Sequence, residues 1–188
     1  VERMKVHNPN VESELTDNEV FIKQFIKQLK ADGQLKGKTE FKIPVVLHVF
    51  HIGDDGKIDM EQAQSGLKVL NDDINGLNEG WNTIDPAFDS IKASIDIEFC
   101  FATIDPDGNP TTGVNYYEDE DAFYNRGDVF RYAWDNFKYF NVYMPKYVFG
   151  EPSNFTAYAY FPNLSSTEVN RDGIFYSSIR WGYGTQSE

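Results

Sequence analysis

The chain has 188 residues, of which 40% are hydrophobic and 15% aromatic, enough to bury the core of one domain. Its formal net charge of −13 disfavours nucleic acid and anionic membrane surfaces as partners, because both would repel it. No apolar run approaches the roughly 20 residues of a membrane helix, and the single cysteine, Cys100, excludes an internal disulfide framework.

Residues 1–40 are charged and lack strand patterns, which predicts a helical arm followed by a linker. Thr16 and Glu19 form a capping box that predicts where the helix begins. Apolar residues then recur at helical spacing, at Ile22, Phe25, Ile26 and Leu29. We expect this helix to dock on the following domain, because it cannot bury its apolar stripe alone. Residues 34–40 are predicted to be an exposed linker that a protease could cut.

Residues 41–188 are predicted to form one α/β domain. The stretch 41–51 has a nearly continuous apolar centre, typical of a strand covered on both faces. Asp59 then caps a long helix, whose apolar residues are spaced alternately three and four apart: Met60, Ala63, Leu67, Leu70, Ile74 and Leu77. Further strands are predicted over residues 95–101, 139–144, 157–161 and 173–179, and a short helix over 129–137. This order predicts a twisted, mixed and mostly parallel sheet of about five strands, with helices packed on it.

Two histidines, His48 and His51, have the spacing of a metal-binding pair. Residues three apart in a strand point to opposite faces, however, so we predict that their imidazoles do not share an ion. The third histidine, His7, lies in the arm, and no metal ligand is assigned. Cys100 is interpreted as a small hydrophobic residue of the core, the alternative being a disulfide to a partner outside this chain.

Two acidic segments are candidate calcium sites. Residues 105–110 begin like an EF-hand loop, but Pro110 stands where glycine is required and Tyr116 where a bidentate glutamate is required. A turn is therefore favoured there. The run at residues 118–121 is interpreted as a solvated face, and calcium binding there stays open. Signatures of serine or cysteine hydrolases and of nucleotide-binding loops are lacking, so no catalytic residue is assigned.

The order of segments is more informative than any single motif. The segments that carry it are residues 43–49, 69–73, 97–103, 105–109, 112–114, 140–143, 157–162 and 172–174. Together they resemble the opening of the pappalysin-type metzincin proteases, over about residues 41–184, and residues 1–40 are similar to the arm of bacterial members. The resemblance implies a secreted, cell-surface or periplasmic zinc metalloendopeptidase, with residues 1–40 as prosegment and 41–188 as the upper, N-terminal subdomain of the catalytic domain.

In that family the next helix would carry HExxHxxGxxH, which holds zinc and supplies the general base. This motif is absent from the sequence, so the resemblance places the zinc ligands outside this chain, and the chain alone is expected to be inactive. The metzincin edge strand pairs with peptide substrate, a role that transfers to Ala157, Tyr158, Ala159, Tyr160 and Phe161. The implied partners are a protein or peptide substrate and, as one alternative, a C-terminal half present as a separate chain.

The competing hypothesis is a non-catalytic peptide- or carbohydrate-binding or adhesion module that retains the sheet. Its 11 tyrosines, 15 phenylalanines and three tryptophans would supply a stacking surface. In the protease reading, the missing half of the domain normally closes one side of the sheet, so exposed apolar surface and self-association are predicted.

Overall fold

A computed structural model describes residues 11–33, 41–93, 96–150, 156–160 and 172–183. The predicted linker 34–40, together with Ile95 and Phe161, lies outside the described residues. The strands are β1 (Phe41–His51), β2 (Ile97–Phe101), β3 (Val114–Glu118), β4 (Phe140–Met144), β5 (Ala157–Tyr160) and β6 (Gly173–Tyr176). They form one six-stranded sheet in which every pairing is parallel except that of β5 with β6. The predicted mixed, mostly parallel α/β fold is confirmed.

The long central strand β1 organises the sheet. On one side it pairs with β4, which is followed by β6 and then β5. On its other side the first half of β1 pairs with β2 and the second half with β3. The change of partner occurs where the Val45 carbonyl accepts from the Ala102 N–H at 2.9 Å and the Leu47 N–H donates to the Gly113 carbonyl at 2.8 Å.

Gly113 makes this change of partner possible. Its φ is +74°, and a Cβ added there would lie only 2.9 Å from the backbone nitrogen of Ala102. The chain therefore returns to β1 as β3 through a position that only glycine fills without strain. Strand β3 has no counterpart among the strands predicted from the sequence.

One face of the sheet packs on helix α2 (Met60–Ile74), which begins at the predicted cap, Asp59. Ala63 and Leu67 of α2 belong to one core cluster with the side chains of β1, β3 and β4 on that face: Val45, Leu47, Val49, Val114, Val142 and Met144. Trp181 joins this cluster, and its Nε1 donates to the Ala63 carbonyl at 3.1 Å. Leu77 was predicted to be helical, but the helix ends at Asn75, and Leu77 is 73% exposed. The left-handed conformation of Gly76, with φ +66°, turns the chain away.

The opposite face is covered by aromatic side chains. Phe50, Tyr143 and Phe175 project from the sheet into a second cluster with Phe123, Val129 and Val148. Phe123 belongs to the short helix α3 (Glu120–Phe123), and Val129 begins the 3-10 turn Val129–Tyr132.

Two of the predicted elements are shorter than expected. The predicted helix over 129–137 stops after its first turn, because the Asn141 side chain bonds both the N–H and the carbonyl of Trp134, each at 2.9 Å. The predicted strand over 173–179 ends at Tyr176, and Ser178–Arg180 forms a 3-10 turn. Two further 3-10 turns, Glu79–Thr83 and Pro86–Ile91, follow α2.

Helix α1 (Val11–Ala31) is the predicted arm helix, and it differs from expectation in two ways. It begins five residues before Thr16, because no glycine or proline interrupts the intervening sequence; the predicted start was wrong. Of the predicted apolar stripe, Ile22, Phe25 and Ile26 are 39–51% exposed and Leu29 is half-buried, so the expected docking is not seen in the described part of the chain. In the ranges that the structure describes, none of the helices combines the length and apolar character needed to cross a membrane.

Candidate functional site

Strand β5, the predicted substrate strand, lies at an edge of the sheet. It pairs with β6 alone, and no other described strand pairs with its outer side. The exposed main-chain groups of such an edge can accept an added peptide strand. The structure therefore places Ala157, Tyr158, Ala159 and Tyr160 where the prediction requires them, whereas Phe161 lies outside the described residues. Substrate contact by these residues stays a prediction.

Tyr158 anchors the edge strand to the aromatic face. Its ring stacks on Phe175 with centroids 4.6 Å apart, and its hydroxyl accepts a hydrogen bond from the Asn125 amide at 2.9 Å. Burial raises the pKa of Tyr158 to about 12. Because this side chain holds β5 in place, a peptide that pairs with β5 would lose little binding free energy to ordering the strand.

The alternate residues of β5 face the other way. Ala157 pairs with Tyr176 and Ala159 with Ile174, on the side of the sheet that carries α2. Both alanines are exposed, whereas Ile174 and Tyr176 are half-buried. Within the described residues, this corner of the sheet thus carries small side chains that leave room beside the edge.

The two histidines of β1 lie on opposite faces, as predicted. His48 is fully buried on the aromatic face, where its Nε2 lies 2.9 Å from the Asn141 Oδ1. His51 lies on the α2 face, and its Nδ1 lies 2.9 Å from the Gly53 carbonyl oxygen. Burial lowers the pKa of His48 from its ordinary 6.5 to about 4. The opposite orientation of the two rings is thus seen in the structure, and the absence of a shared metal ion stays a prediction.

One carboxylate in each of the two acidic segments, Asp105 and Asp119, holds local structure together. Asp105 Oδ1 accepts from the N–H groups of Asp107 and Asn109, which confirms the turn and lowers the pKa of Asp105. Asp119 caps α3 and accepts hydrogen bonds from the Tyr132 hydroxyl and from Arg131. In the part of the chain that the structure describes, no three His, Cys, Asp or Glu side chains lie close enough together to hold a metal ion.

Cys100 is only partly buried on β2. Its Sγ lies 3.9 Å from the Ile43 carbonyl oxygen, and burial raises the pKa of the thiol. The thiol thus lies between core and surface, and both predicted roles, a small hydrophobic residue of the core and a disulfide to a partner outside this chain, stay predictions.

Comparisons with known proteins give a match only at the level of solved structures. No protein-family profile and no curated protein match the chain. A mutant of Tannerella forsythia promirolysin has a TM-score of 0.74 and 25% identity, covering 100% of this chain and 60% of that chain. T. forsythia mature mirolysin in complex with a cleaved peptide has a TM-score of 0.67 and 24% identity, covering 80% and 57%. Mirolysin in complex with compound 9 has a TM-score of 0.65 and 25% identity, covering 77% and 55%.

These similarities show the fold. The sheet and its helices match those of promirolysin, a metzincin-like fold, and the neighbours are a metallopeptidase and its zymogen. The chain spans less than two thirds of the length of each matched structure.

Proposed function

We propose that the chain is the N-terminal part of a zinc-dependent metalloendopeptidase of the pappalysin type. The observation that carries the proposal is the match to promirolysin over the whole chain, at a TM-score of 0.74. The antiparallel edge strand β5 agrees with it, because an edge of this kind is suited to receiving an extended peptide.

The coverage of the two forms of mirolysin supports the proposed division of the chain. The precursor matches 100% of this chain and the mature form 80%. The difference is about 38 of the 188 residues, close to the length that precedes β1 at Phe41. We therefore assign residues 1–40 to a prosegment and residues 41–188 to the upper subdomain of a catalytic domain.

In this proposal residues 157–161 bind a protein or peptide substrate through their main chain. One matched structure is described as mirolysin in complex with a cleaved peptide, which supports a peptide ligand for the same fold. The Tyr158 ring stacks on Phe175 and its hydroxyl is bonded to Asn125, so this side chain positions the strand and does not contact the substrate. The small side chains of Ala157 and Ala159 leave the neighbouring space to the substrate.

The mirolysin structures imply zinc for a complete enzyme, but the residues of this chain do not fit it. Its three histidines are His7, His48 and His51, and none stands in an HExxH motif. His48 is sequestered among aromatic rings, and His51 faces the other side of the sheet. We propose that the zinc ligands belong to the part of the fold that this chain does not span, either in a continuous chain or in a separate C-terminal half. A location outside the cytoplasm belongs to the same proposal.

The proposal is tested by activity and by the coding sequence. Residues 1–188 with added zinc should not hydrolyse casein, and chelator-sensitive turnover by this chain alone would contradict the placement of the site. The codons after Glu188 should encode HExxH, and the extended product should cleave casein until zinc is removed. With a peptide bound to that product, hydrogen exchange should slow in residues 157–160 and stay unchanged in β2, which serves as the control.

One observation favours the competing binding module. Phe149 and Tyr160 are 54% and 50% exposed, and Tyr158 lies between them, with ring centroids 5.4 Å and 5.7 Å away. Such a row of aromatic rings can stack on sugars or peptides. A stop codon or an unrelated domain after Glu188, together with loss of glycan binding in Tyr160→Ala, would favour this function over the protease.

A further inference from the structure

A cavity of about 610 Å³ lies at the carboxyl ends of β1 and β3, against the first turn of α2. In the sheet it is separated from β5 by β4 and β6. Crevices at the carboxyl ends of parallel strands are common ligand sites. Ile58 contributes an apolar wall, and the other lining residues are polar or charged.

His51 is the most informative of the polar residues, since it is only 7% exposed and lines the cavity. Its Nδ1 donates to the Gly53 carbonyl oxygen at 2.9 Å, because a carbonyl can only accept. In the neutral ring this leaves Nε2 as a hydrogen-bond acceptor. Among the described residues Nε2 has no partner, so it is open to a donor from a ligand in the cavity.

Gln62 and Tyr116 present acceptors as well. The Gln62 amide nitrogen donates to the carbonyls of Ser178 and Trp181, both at 3.0 Å, which fixes the orientation of the amide. Its Oε1 is therefore left to accept. The Tyr116 hydroxyl donates to the Ile58 carbonyl at 2.9 Å, so only its oxygen lone pairs remain for a ligand.

The charges of the lining favour a cation. Asp59 uses Oδ1 to cap Gln62 N at 2.7 Å, which offsets the partial positive charge of the α2 N-terminus and leaves Oδ2 unbonded within the described residues. Of the described residues that line the cavity, Lys57 is the one cation, and its Nζ lies 3.3 Å from Asp54 Oδ1. Asp54, Lys57 and Asp59 together leave one negative charge, in a chain whose formal net charge is −13.

We propose that this cavity binds a guanidinium or primary ammonium group, carried by a basic peptide side chain or by a free small amine. The unbonded acceptors of His51, Gln62 and Asp59 suit a ligand rich in donors, and the net negative charge of the lining favours a cation. The ring of Tyr116, which is 43% exposed, adds a face on which a cation can rest. A metal ion does not fit, because no three metal-binding side chains converge in the described residues. This inference does not depend on the proposed protease function.

The test is an NMR titration of the ¹⁵N-labelled 188-residue chain with N-acetyl-arginine methylamide. We expect saturable shifts of the His51 ring nitrogens and the Gln62 backbone amide. The citrulline analogue has nearly the same shape without the charge and should bind at least about fivefold more weakly. Agmatine distinguishes the sources: tighter binding of agmatine indicates a free amine, and tighter binding of the arginine amide indicates a peptide side chain.

Two charge-matched variants complete the test. Asp59→Asn removes the charge but keeps a good helix cap, so the protein should fold and bind the arginine amide about fivefold to tenfold more weakly. Asp89→Asn removes the same charge from the exposed 3-10 turn Pro86–Ile91, outside the cavity, and should leave binding unchanged. Equal binding of citrulline, equal effects of the two variants, or no saturable shift at His51 would each overturn the proposal.

Discussion

His48 should make the folded chain sensitive to mild acid. The side chain is fully buried, and its ring contacts are the uncharged Tyr117, Trp134 and Tyr143. Asn141 Oδ1 accepts from the Trp134 N–H as well as from His48, so His48 Nε2 is the donor. Burial disfavours a second proton on Nδ1, and no described residue in contact with the ring offers a carboxylate, so the pKa falls to about 4.

The sign and size of the effect follow from this pKa. Above pH 6.5 His48 is neutral in the folded and unfolded chains, so its titration contributes nothing to stability. As the pH falls below 6.5, only the unfolded chain gains the proton, and the free energy of unfolding decreases until about pH 4. The loss reaches about 3 kcal/mol in full and about 2 kcal/mol by pH 5.

Urea unfolding of the parent chain and of His48→Phe at pH 7 and pH 5, followed by tryptophan fluorescence, measures this contribution. The phenylalanine ring can stack on Tyr143, and Asn141 Oδ1 remains bonded to the Trp134 N–H. Contributions of the carboxylates are common to both proteins and cancel in the comparison. The parent should lose about 2 kcal/mol more than the variant between the two pH values. Equal losses, within about 0.5 kcal/mol, would refute the assignment of a neutral buried imidazole.

Three further perturbations test the packing. Gly66→Ala should destabilise the chain by about 2 kcal/mol in urea unfolding, because the added Cβ would overlap the Trp181 indole. Gly80→Ala is the control and should be close to neutral, because the atom nearest to its added Cβ lies 3.7 Å away. Tyr143→Phe should leave the free energy of unfolding unchanged or raise it by about 1 kcal/mol, because the buried hydroxyl has no hydrogen-bond partner among the described residues. A clear loss of stability in the same assay would show that the hydroxyl does have a partner. Deleting residues 1–40 should change the Tm by less than about 3 °C in a thermal melt, since Ile22, Phe25 and Ile26 of α1 are 39–51% exposed. A drop in the Tm above about 5 °C would show that the arm docks on the domain.

Elements with strong local signals were predictable from sequence. The apolar run of β1 and the alternating three- and four-residue spacing of α2 located both elements, including the Asp59 cap. Strand β3 was missed because Val114 is its single aliphatic residue, and what defines it is pairing with the second half of β1, far away in sequence. The predicted helix over 129–137 failed for a similar reason, since a side chain from β4 ends it.

The candidate site was likewise only partly predictable from the sequence. Nothing in residues 157–161 marks them as an edge strand, because an edge is defined by which strands pair; only the family resemblance located it. The opposite orientations of His48 and His51 followed from strand geometry alone. The cavity at His51 could not be predicted, because it forms where the ends of β1 and β3 meet the start of α2, and its character depends on which atoms are already bonded.

The change of partner along β1 has a consequence for self-association. β2 and β3 divide one border of the sheet into two five-residue pieces, which offer no continuous row of main-chain groups to a neighbouring molecule. The opposite border is no longer, because β5 has only four residues in the described part of the chain. Each described border therefore offers at most five residues to a neighbouring strand, and so short a pairing is marginally stable by itself. Self-association through the edges of this sheet should accordingly be weak.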